Sequence, residues 1–86
     1  MKVSILYHPE SEFARRVEEY AHDFERQKGK TIELLSLETR QGADLAALYE
    51  IVRYPALLIR QDNGDLIKHW EGELLPLMNE VAGYLN

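Results

Sequence analysis

The sequence predicts an α/β fold in which a four-stranded mixed sheet is flanked by three helices, in the order β-α-β-α-β-β-α. Two observations lead to this prediction. Apolar runs of strand length alternate with apolar stripes at helical spacing, and an Asn-Gly pair separates the last two runs. A strand–helix–strand beginning implies a right-handed parallel crossover, whereas a hairpin is antiparallel. Because 86 residues suffice for one core, we expect a single domain over residues 1–86.

The first third of the chain predicts a strand followed by a long helix. Lys2 to Tyr7 is a nearly continuous apolar run, which is typical of a strand buried on both faces. The turn of residues 8–11 leads into the helix, and Gly29 suits the position just past its end. We expect the Ser11 hydroxyl to cap the helix by accepting a backbone N–H. The apolar stripe of this helix consists of Phe13, Ala14, Val17, Tyr20, Ala21 and Phe24.

The middle of the chain predicts a second strand and a short helix. Residues 31–37 (TIELLSL) form the strand-like run, and a turn is expected at residues 40–42. Asp44 is then a candidate N-cap of the short helix, because its carboxylate accepts backbone N–H groups. The stripe expected on this helix consists of Leu45, Leu48, Tyr49 and Val52.

The last third predicts a hairpin and a final helix. The third strand covers residues 56–60, and the Asn63-Gly64 pair turns the chain into a fourth strand at residues 66–70. Gly72 ends that strand, and Pro76 fits the first turn of a helix, where a missing N–H is harmless. The stripe expected on the final helix consists of Leu74, Leu77, Met78, Val81, Ala82 and Leu85.

The composition excludes several classes of function. Without cysteine, the chain forms no disulfide or thiolate metal site and performs no thiol catalysis. A net charge of −5 argues against nucleic acid or an anionic membrane as the main partner. Residues 1–7 are not followed by a small-residue cleavage pattern, and no apolar run approaches the roughly 20 residues of a membrane span. We therefore expect a cytoplasmic protein.

Metal and cofactor sites are not expected either. His8, His22 and His69 are far apart in sequence, and none has a recognised ligand spacing. The five glycines do not form a phosphate-binding loop, and each is expected in a turn or at a helix end.

The element order resembles the thioredoxin and glutaredoxin superfamily over essentially the whole chain. In that superfamily a Cys-x-x-Cys motif opens the first long helix, and a cis-proline precedes the third strand. The segment Ile51–Ile59, with its proline, resembles the cis-proline segment, and residues 62–65 resemble the hairpin. Residues 70–72 resemble the approach to the last helix. Counting from Tyr7 places residues 11–14 on the Cys-x-x-Cys motif.

The redox residues of the superfamily are absent from these positions. Ser11 and Ala14 stand where the resemblance expects cysteines, and Ile5 stands where thioredoxins keep a buried acid. A serine hydroxyl is a negligible nucleophile at neutral pH unless a base activates it, and His8 has no identifiable residue to orient it. The resemblance therefore implies a redox-inactive thioredoxin-like domain, and we assign no catalytic residue.

A protein or peptide partner is the leading hypothesis for function. In this fold the residue before the cis-proline offers its backbone groups to an extended peptide or to glutathione. The alternative is that Tyr7 and Tyr54 only complete the core. The residues of the candidate groove are Tyr7, His8, Ser11, Phe13, Ala14, Tyr54 and Pro55.

Two other functions remain open at this point. A glutathione-binding or transferase-like domain would use Ser11 or Tyr7 to hydrogen-bond a thiolate, but the chain lacks the helical domain and acidic-serine pair of those transferases. An assembly subunit would form a homodimer through a sheet edge or the last helix. Arg15, Arg16 and Arg53 lie near the expected groove and would suit a carboxylate ligand, although a solvated helix face is the simpler interpretation.

Overall fold

A computed structural model describes residues 1–85, and over these residues the chain forms four strands and three helices in the predicted order. The predicted α/β class with a mixed sheet is therefore confirmed. The strands are β1 (Lys2–Tyr7), β2 (Ile32–Ser36), β3 (Ala56–Arg60) and β4 (Leu66–Glu71). The helices are α1 (Ala14–Lys28), α2 (Arg40–Leu48) and α3 (Met78–Leu85).

The sheet has the strand order β2-β1-β3-β4, with β1 and β3 in the centre. β1 is parallel to β2 and antiparallel to β3, and β3 is antiparallel to β4. Successive side chains of a strand point to opposite faces of the sheet. Accordingly, Ile5 packs in one buried cluster with α1 and α3, while Leu6 packs in a second cluster with α2. This two-sided burial explains the continuous apolar runs of the two central strands.

The second helix begins earlier than the sequence pattern predicts. Thr39 is its N-cap, since its hydroxyl accepts the Gly42 N–H at 3.1 Å, and Asp44 lies inside the helix. The expectation of a turn at residues 40–42 was therefore wrong. α2 ends at Leu48, and both Leu48 and Val52 are exposed rather than part of the core.

Gly42 explains why the chain can be helical this close to β2. A Cβ atom at this position would overlap the backbone carbonyl of Ser36 at the end of the strand. The first turn of α2 therefore needs a residue without a side chain. The sequence pattern placed this glycine in a turn because it contains no signal for such a close approach.

The final helix begins later than predicted. It starts at Met78, and Leu74 and Leu77 are 87% and 74% exposed. Pro76 is buried just before the helix, and its carbonyl accepts the Tyr20 hydroxyl at 2.7 Å. This hydrogen bond ties the segment before α3 to α1. The longest helix, α1, has 15 residues, and none of the helices in residues 1–85 combines the length and hydropathy of a membrane span.

Candidate functional site

The candidate site lies at the end of the two central strands where β1 ends and β3 begins. The antiparallel register places Leu6 opposite Ala56, so Tyr7 and Pro55 lie at the same end of the sheet. The turn between β1 and α1 and the loop between α2 and β3 therefore meet there. The Tyr54–Pro55 peptide bond at this junction is cis.

Six of the seven residues predicted for the groove surround one cavity, which we call the aromatic pocket. Its volume is about 220 Å³. The His8 ring packs edge-to-face against the Tyr54 ring, with 5.4 Å between the ring centroids. Ala14, the seventh predicted residue, is buried at the first position of α1 and does not line the cavity. The residues that line the aromatic pocket are Tyr7, His8, Ser11, Phe13, Tyr54 and Pro55.

Ser11 does not cap the first helix, contrary to the sequence-based expectation. The N-cap of α1 is Phe13, which makes no side-chain capping hydrogen bond. The Ser11 hydroxyl instead donates to the His8 carbonyl at 2.7 Å, and the Ser11 backbone N–H donates to the same oxygen at 3.0 Å. Both bonds close the turn before the helix. Within residues 1–85 the Ser11 hydroxyl has no hydrogen bond to an imidazole or carboxylate that would act as a base.

The two tyrosines of the pocket are neutral hydrogen-bond donors at neutral pH. Burial raises the pKa of Tyr7, and the charge of Glu18 adds to this effect. Burial also raises the pKa of Tyr54, with a smaller contribution from Glu71. The Tyr54 hydroxyl donates to the Ile51 carbonyl at 2.8 Å, which fixes the ring against its own loop.

Glu71, which the sequence analysis did not identify, holds this loop in place. One carboxylate oxygen accepts the backbone N–H of Val52 at 2.9 Å and that of Arg53 at 3.3 Å. The other oxygen lies 3.4 Å from Nε2 of His69. The Val52 N–H is the largest cause of a lowered Glu71 pKa, because it stabilises the carboxylate form, whereas burial acts in the opposite direction. The last residue of β4 thereby anchors the segment that carries Tyr54.

The Tyr54 backbone makes no hydrogen bond within residues 1–85, since neither its N–H nor its C=O has a partner there. The next carbonyl along the chain, that of Pro55, accepts the Gly72 N–H at 3.0 Å. The loop therefore carries one unpaired donor and one unpaired acceptor on a residue that lines the aromatic pocket.

A second depression, which we call the Gly72 pocket, adjoins the aromatic pocket. Its volume is about 610 Å³, and Phe13 and Tyr54 line both cavities. Leu74 forms an apolar part of its rim. The residues that line the Gly72 pocket are Phe13, Arg53, Tyr54, Glu71, Gly72, Glu73 and Leu74.

The three arginines expected near the groove differ in their surroundings. Arg15 pairs with Glu19 at 3.1 Å on the exposed face of α1, as the solvated-face interpretation predicts. The Arg16 guanidinium lies over the Phe13 ring, with its carbon 5.8 Å from the ring centroid. Arg53 lines the Gly72 pocket. Arg16 and Arg53 therefore lie beside the cavities, whereas Arg15 does not.

The aromatic pocket offers an apolar surface beside hydrogen-bonding groups. Within residues 1–85 no three His, Asp or Glu side chains come together as a metal-binding group. Aromatic rings, a proline and two neutral phenols surround the aromatic pocket, and such surfaces bury an apolar group well. The Tyr54 backbone N–H and C=O, which are unpaired within residues 1–85, add one hydrogen-bond donor and one acceptor.

Comparison with known proteins agrees with the architecture. The chain is similar in structure to thioredoxin 1 from the thermophilic eubacterium Thermosipho africanus TCF52B, with a TM-score of 0.68 over 99% of this chain and 90% of that chain. The two sequences are 13% identical, so the similarity concerns the fold. No protein-family model matches the chain, and no curated protein matches its sequence. The resemblance inferred from the sequence is thus confirmed as a thioredoxin-like fold that lacks the Cys-x-x-Cys cysteines.

Proposed function

We propose that this cysteine-free thioredoxin-like domain is a protein-binding module that holds an extended segment of a partner protein at the aromatic pocket. The observation that carries the proposal is the position of Tyr54. Its ring lines the pocket, while its backbone N–H and C=O are unpaired within residues 1–85. A partner strand can use both features at once, with backbone hydrogen bonds for affinity and a side-chain pocket for specificity.

The size of the aromatic pocket supports a single apolar side chain of a polypeptide as its occupant. Pockets that enclose drug-sized ligands occupy roughly 300–1,000 Å³. The aromatic pocket, at about 220 Å³, is smaller than this range and suits one apolar side chain of a larger partner. Tyrosine, one of the residue types that dominate binding energy at protein interfaces, supplies two of its six lining side chains.

The loss of redox chemistry supports the same proposal. A disulfide oxidoreductase needs a thiolate, and the chain has no cysteine to supply one. The Ser11 hydroxyl at the corresponding place is bonded to the His8 carbonyl. What remains of the site is its ability to bind a polypeptide without reacting with it.

Selection from a phage-displayed library of random dodecapeptides tests this proposal. We expect the wild-type chain to enrich peptides that contain apolar residues, and the double variant Phe13→Ala/Tyr54→Ala to lose them. The double variant Leu48→Ala/Ile67→Ala is the matched control, because it removes two exposed apolar side chains that do not line either pocket. Circular dichroism establishes that all three proteins are folded. The proposal is wrong if the pocket variant retains the same peptides as the wild type, or if the wild type enriches none.

Titration with reduced glutathione, followed by NMR, separates this proposal from the glutathione alternative. We expect no shift of the Tyr7, Ser11 or Tyr54 signals at millimolar ligand, because the Ser11 and Tyr54 hydroxyls already donate to the His8 and Ile51 carbonyls rather than to a ligand thiolate. Saturable shifts confined to these residues, together with no selected peptide, would favour glutathione binding.

A further inference from the structure

We infer that the partner segment carries a carboxylate two residues from its apolar anchor, and that Arg53 and Arg16 bind this carboxylate at the Gly72 pocket. This inference rests on the proposed function, since it concerns the same partner segment. It names the chemistry of the partner: an extended acidic-apolar sequence rather than a purely apolar one.

The aromatic pocket and the Gly72 pocket adjoin each other. Phe13 and Tyr54 line both of them, so a segment that fills the aromatic pocket borders the Gly72 pocket. In an extended strand, side chains two residues apart point to the same face and are separated by about 7 Å. The side chain two positions from the apolar anchor is therefore the one expected to meet the Gly72 pocket.

The guanidinium groups of Arg16 and Arg53 differ from those of three other arginines in having no ion-pair partner within residues 1–85. Arg15, Arg26 and Arg60 each form an ion pair with a carboxylate. Neither Arg16 nor Arg53 has a salt bridge or a side-chain hydrogen bond within residues 1–85. Two exposed cations without a partner, in a chain of net charge −5, thus lie beside the proposed binding surface.

The positions of the Arg16 and Arg53 guanidinium groups suit a carboxylate of the partner segment. The Arg16 guanidinium rests over the Phe13 ring, which both cavities share. Nη2 of Arg53 lies 3.2 Å from the point where a Cβ of residue 72 would stand, so the absence of a side chain at Gly72 leaves room for it. A guanidinium presents several N–H donors in one plane and binds a carboxylate through two parallel hydrogen bonds. Both arginines therefore suit an acidic side chain.

Two carboxylates of the chain itself line the Gly72 pocket and must be considered. Glu71 is already engaged, because its oxygens contact the Val52 and Arg53 N–H groups and His69. Glu73 is exposed and forms no salt bridge within residues 1–85, so it would repel an acidic ligand. The inference therefore predicts that removing the Glu73 charge strengthens binding, whereas removing an arginine charge weakens it.

The experiment compares charge variants against peptides from the dodecapeptide selection. We expect the wild type to enrich Asp and Glu over Lys and Arg two positions from the apolar residue, and the double variant Arg16→Gln/Arg53→Gln to lose this preference. Titrations then use one selected peptide and its form with amides in place of carboxylates. Each arginine substitution is expected to weaken binding of the acidic peptide about threefold, the size of an exposed charge pair. Glu73→Gln is expected to strengthen it.

The matched control is Arg40→Gln, which makes the same charge change on an exposed arginine at the start of α2, outside both cavities. It is expected to leave the affinity unchanged. The inference is overturned if Arg40→Gln weakens binding as much as Arg53→Gln, or if the amide peptide binds as tightly as the acidic one. In either case the proposed function stands, provided that Phe13→Ala/Tyr54→Ala still abolishes binding. If no peptide is enriched by the wild type, the proposed function fails and the inference fails with it.

Discussion

The carboxylate of Glu71 accepts the backbone N–H of Val52 at 2.9 Å and so joins the end of β4 to the loop before β3. The same oxygen accepts the neighbouring Arg53 N–H at 3.3 Å. A single side chain thus holds the two residues that precede Tyr54. Because Tyr54 lines both cavities, the shape of the proposed binding surface depends on Glu71, which lies at the end of β4.

Replacing Glu71 with alanine is expected to destabilise the protein and to weaken peptide binding. Loss of hydrogen bonds to a charged acceptor costs about 1–3 kcal/mol, and the loop that carries Tyr54 loses its anchor. Urea unfolding measures the first effect and peptide titration the second. The control is Glu73→Ala, which removes a neighbouring carboxylate that accepts no hydrogen bond within residues 1–85. Equal urea midpoints for the two variants would contradict the anchoring role.

The contribution of Glu71 to stability is expected to disappear in acid. The pKa of Glu71 is lowered below its usual value of 4.5, chiefly by the Val52 N–H. A carboxyl with a lowered pKa in the folded state stabilises the protein fully above its ordinary pKa, and this contribution is lost as the pH falls through the lowered value. The difference in unfolding free energy between wild type and Glu71→Ala should therefore shrink below pH 4.5. A difference that stays constant down to about pH 2 would show that the carboxylate charge is not involved.

Tyr20→Phe is expected to lower stability at neutral pH and to reduce its loss in alkali. The Tyr20 hydroxyl donates to the Pro76 carbonyl at 2.7 Å, and a hydrogen bond of this kind contributes about 1 kcal/mol. Burial, followed by the charge of Glu80, raises the pKa of Tyr20 from 10.0 to about 12. Because the unfolded chain ionises first, the stability from this group is complete below pH 10 and is lost as the pH rises towards 12.

Thermal unfolding between neutral pH and pH 12 measures both effects of Tyr20→Phe. The matched control is Tyr84→Phe, since the Tyr84 hydroxyl makes no hydrogen bond within residues 1–85. Tyr7 and Tyr54 also have raised pKa values, so the variant should retain part of the alkaline loss. An alkaline profile identical to that of the wild type would contradict the assignment to Tyr20.

The fold was predictable because its signals are local and repeated. The continuous apolar runs of β1 and β3 indicate burial on both faces, and Asn63-Gly64 fixes the hairpin between β3 and β4. Six of the seven residues assigned to the groove lie around one cavity for a related reason. Once β1 and β3 are antiparallel neighbours, the last residue of β1 and the first residue of β3 must lie close together at one end of the sheet.

The remaining features depend on contacts between residues far apart in sequence. Glu71 and Val52 are 19 positions apart, and no local pattern marks the carboxylate as an anchor. Ser11 is a good capping residue by type, but its hydroxyl is taken by the His8 carbonyl before α1 begins. Leu74 and Leu77 continue the spacing of the α3 stripe, yet the chain is helical only from Met78. For Ser11 and for the start of α3, three-dimensional packing overrides the choice that the local sequence favours.

Gly42→Ala is expected to destabilise the protein although alanine is the better helix former. A Cβ at residue 42 would overlap the backbone carbonyl of Ser36, which cannot move without displacing the end of β2. Overpacking of this kind costs about 1–3 kcal/mol, more than the helix propensity gained. Gly83→Ala is the control, because a Cβ at this helical position meets nothing within 4 Å. It should gain up to about 1 kcal/mol in urea unfolding, and a gain of similar size for Gly42→Ala would contradict the close approach.

Thr39→Ala and Asp44→Ala distinguish the observed N-terminus of α2 from the one that the sequence suggests. The Thr39 hydroxyl accepts the Gly42 N–H at 3.1 Å and donates to the Ser36 carbonyl at 2.8 Å, so it both caps α2 and joins it to β2. Its loss should cost about 1 kcal/mol or more. Asp44 is exposed inside the helix, and its replacement should change stability by less than about 0.5 kcal/mol. If urea unfolding gave the reverse order, Asp44 would have to be the N-cap of α2, and residues 40–42 would form the turn that the sequence suggests.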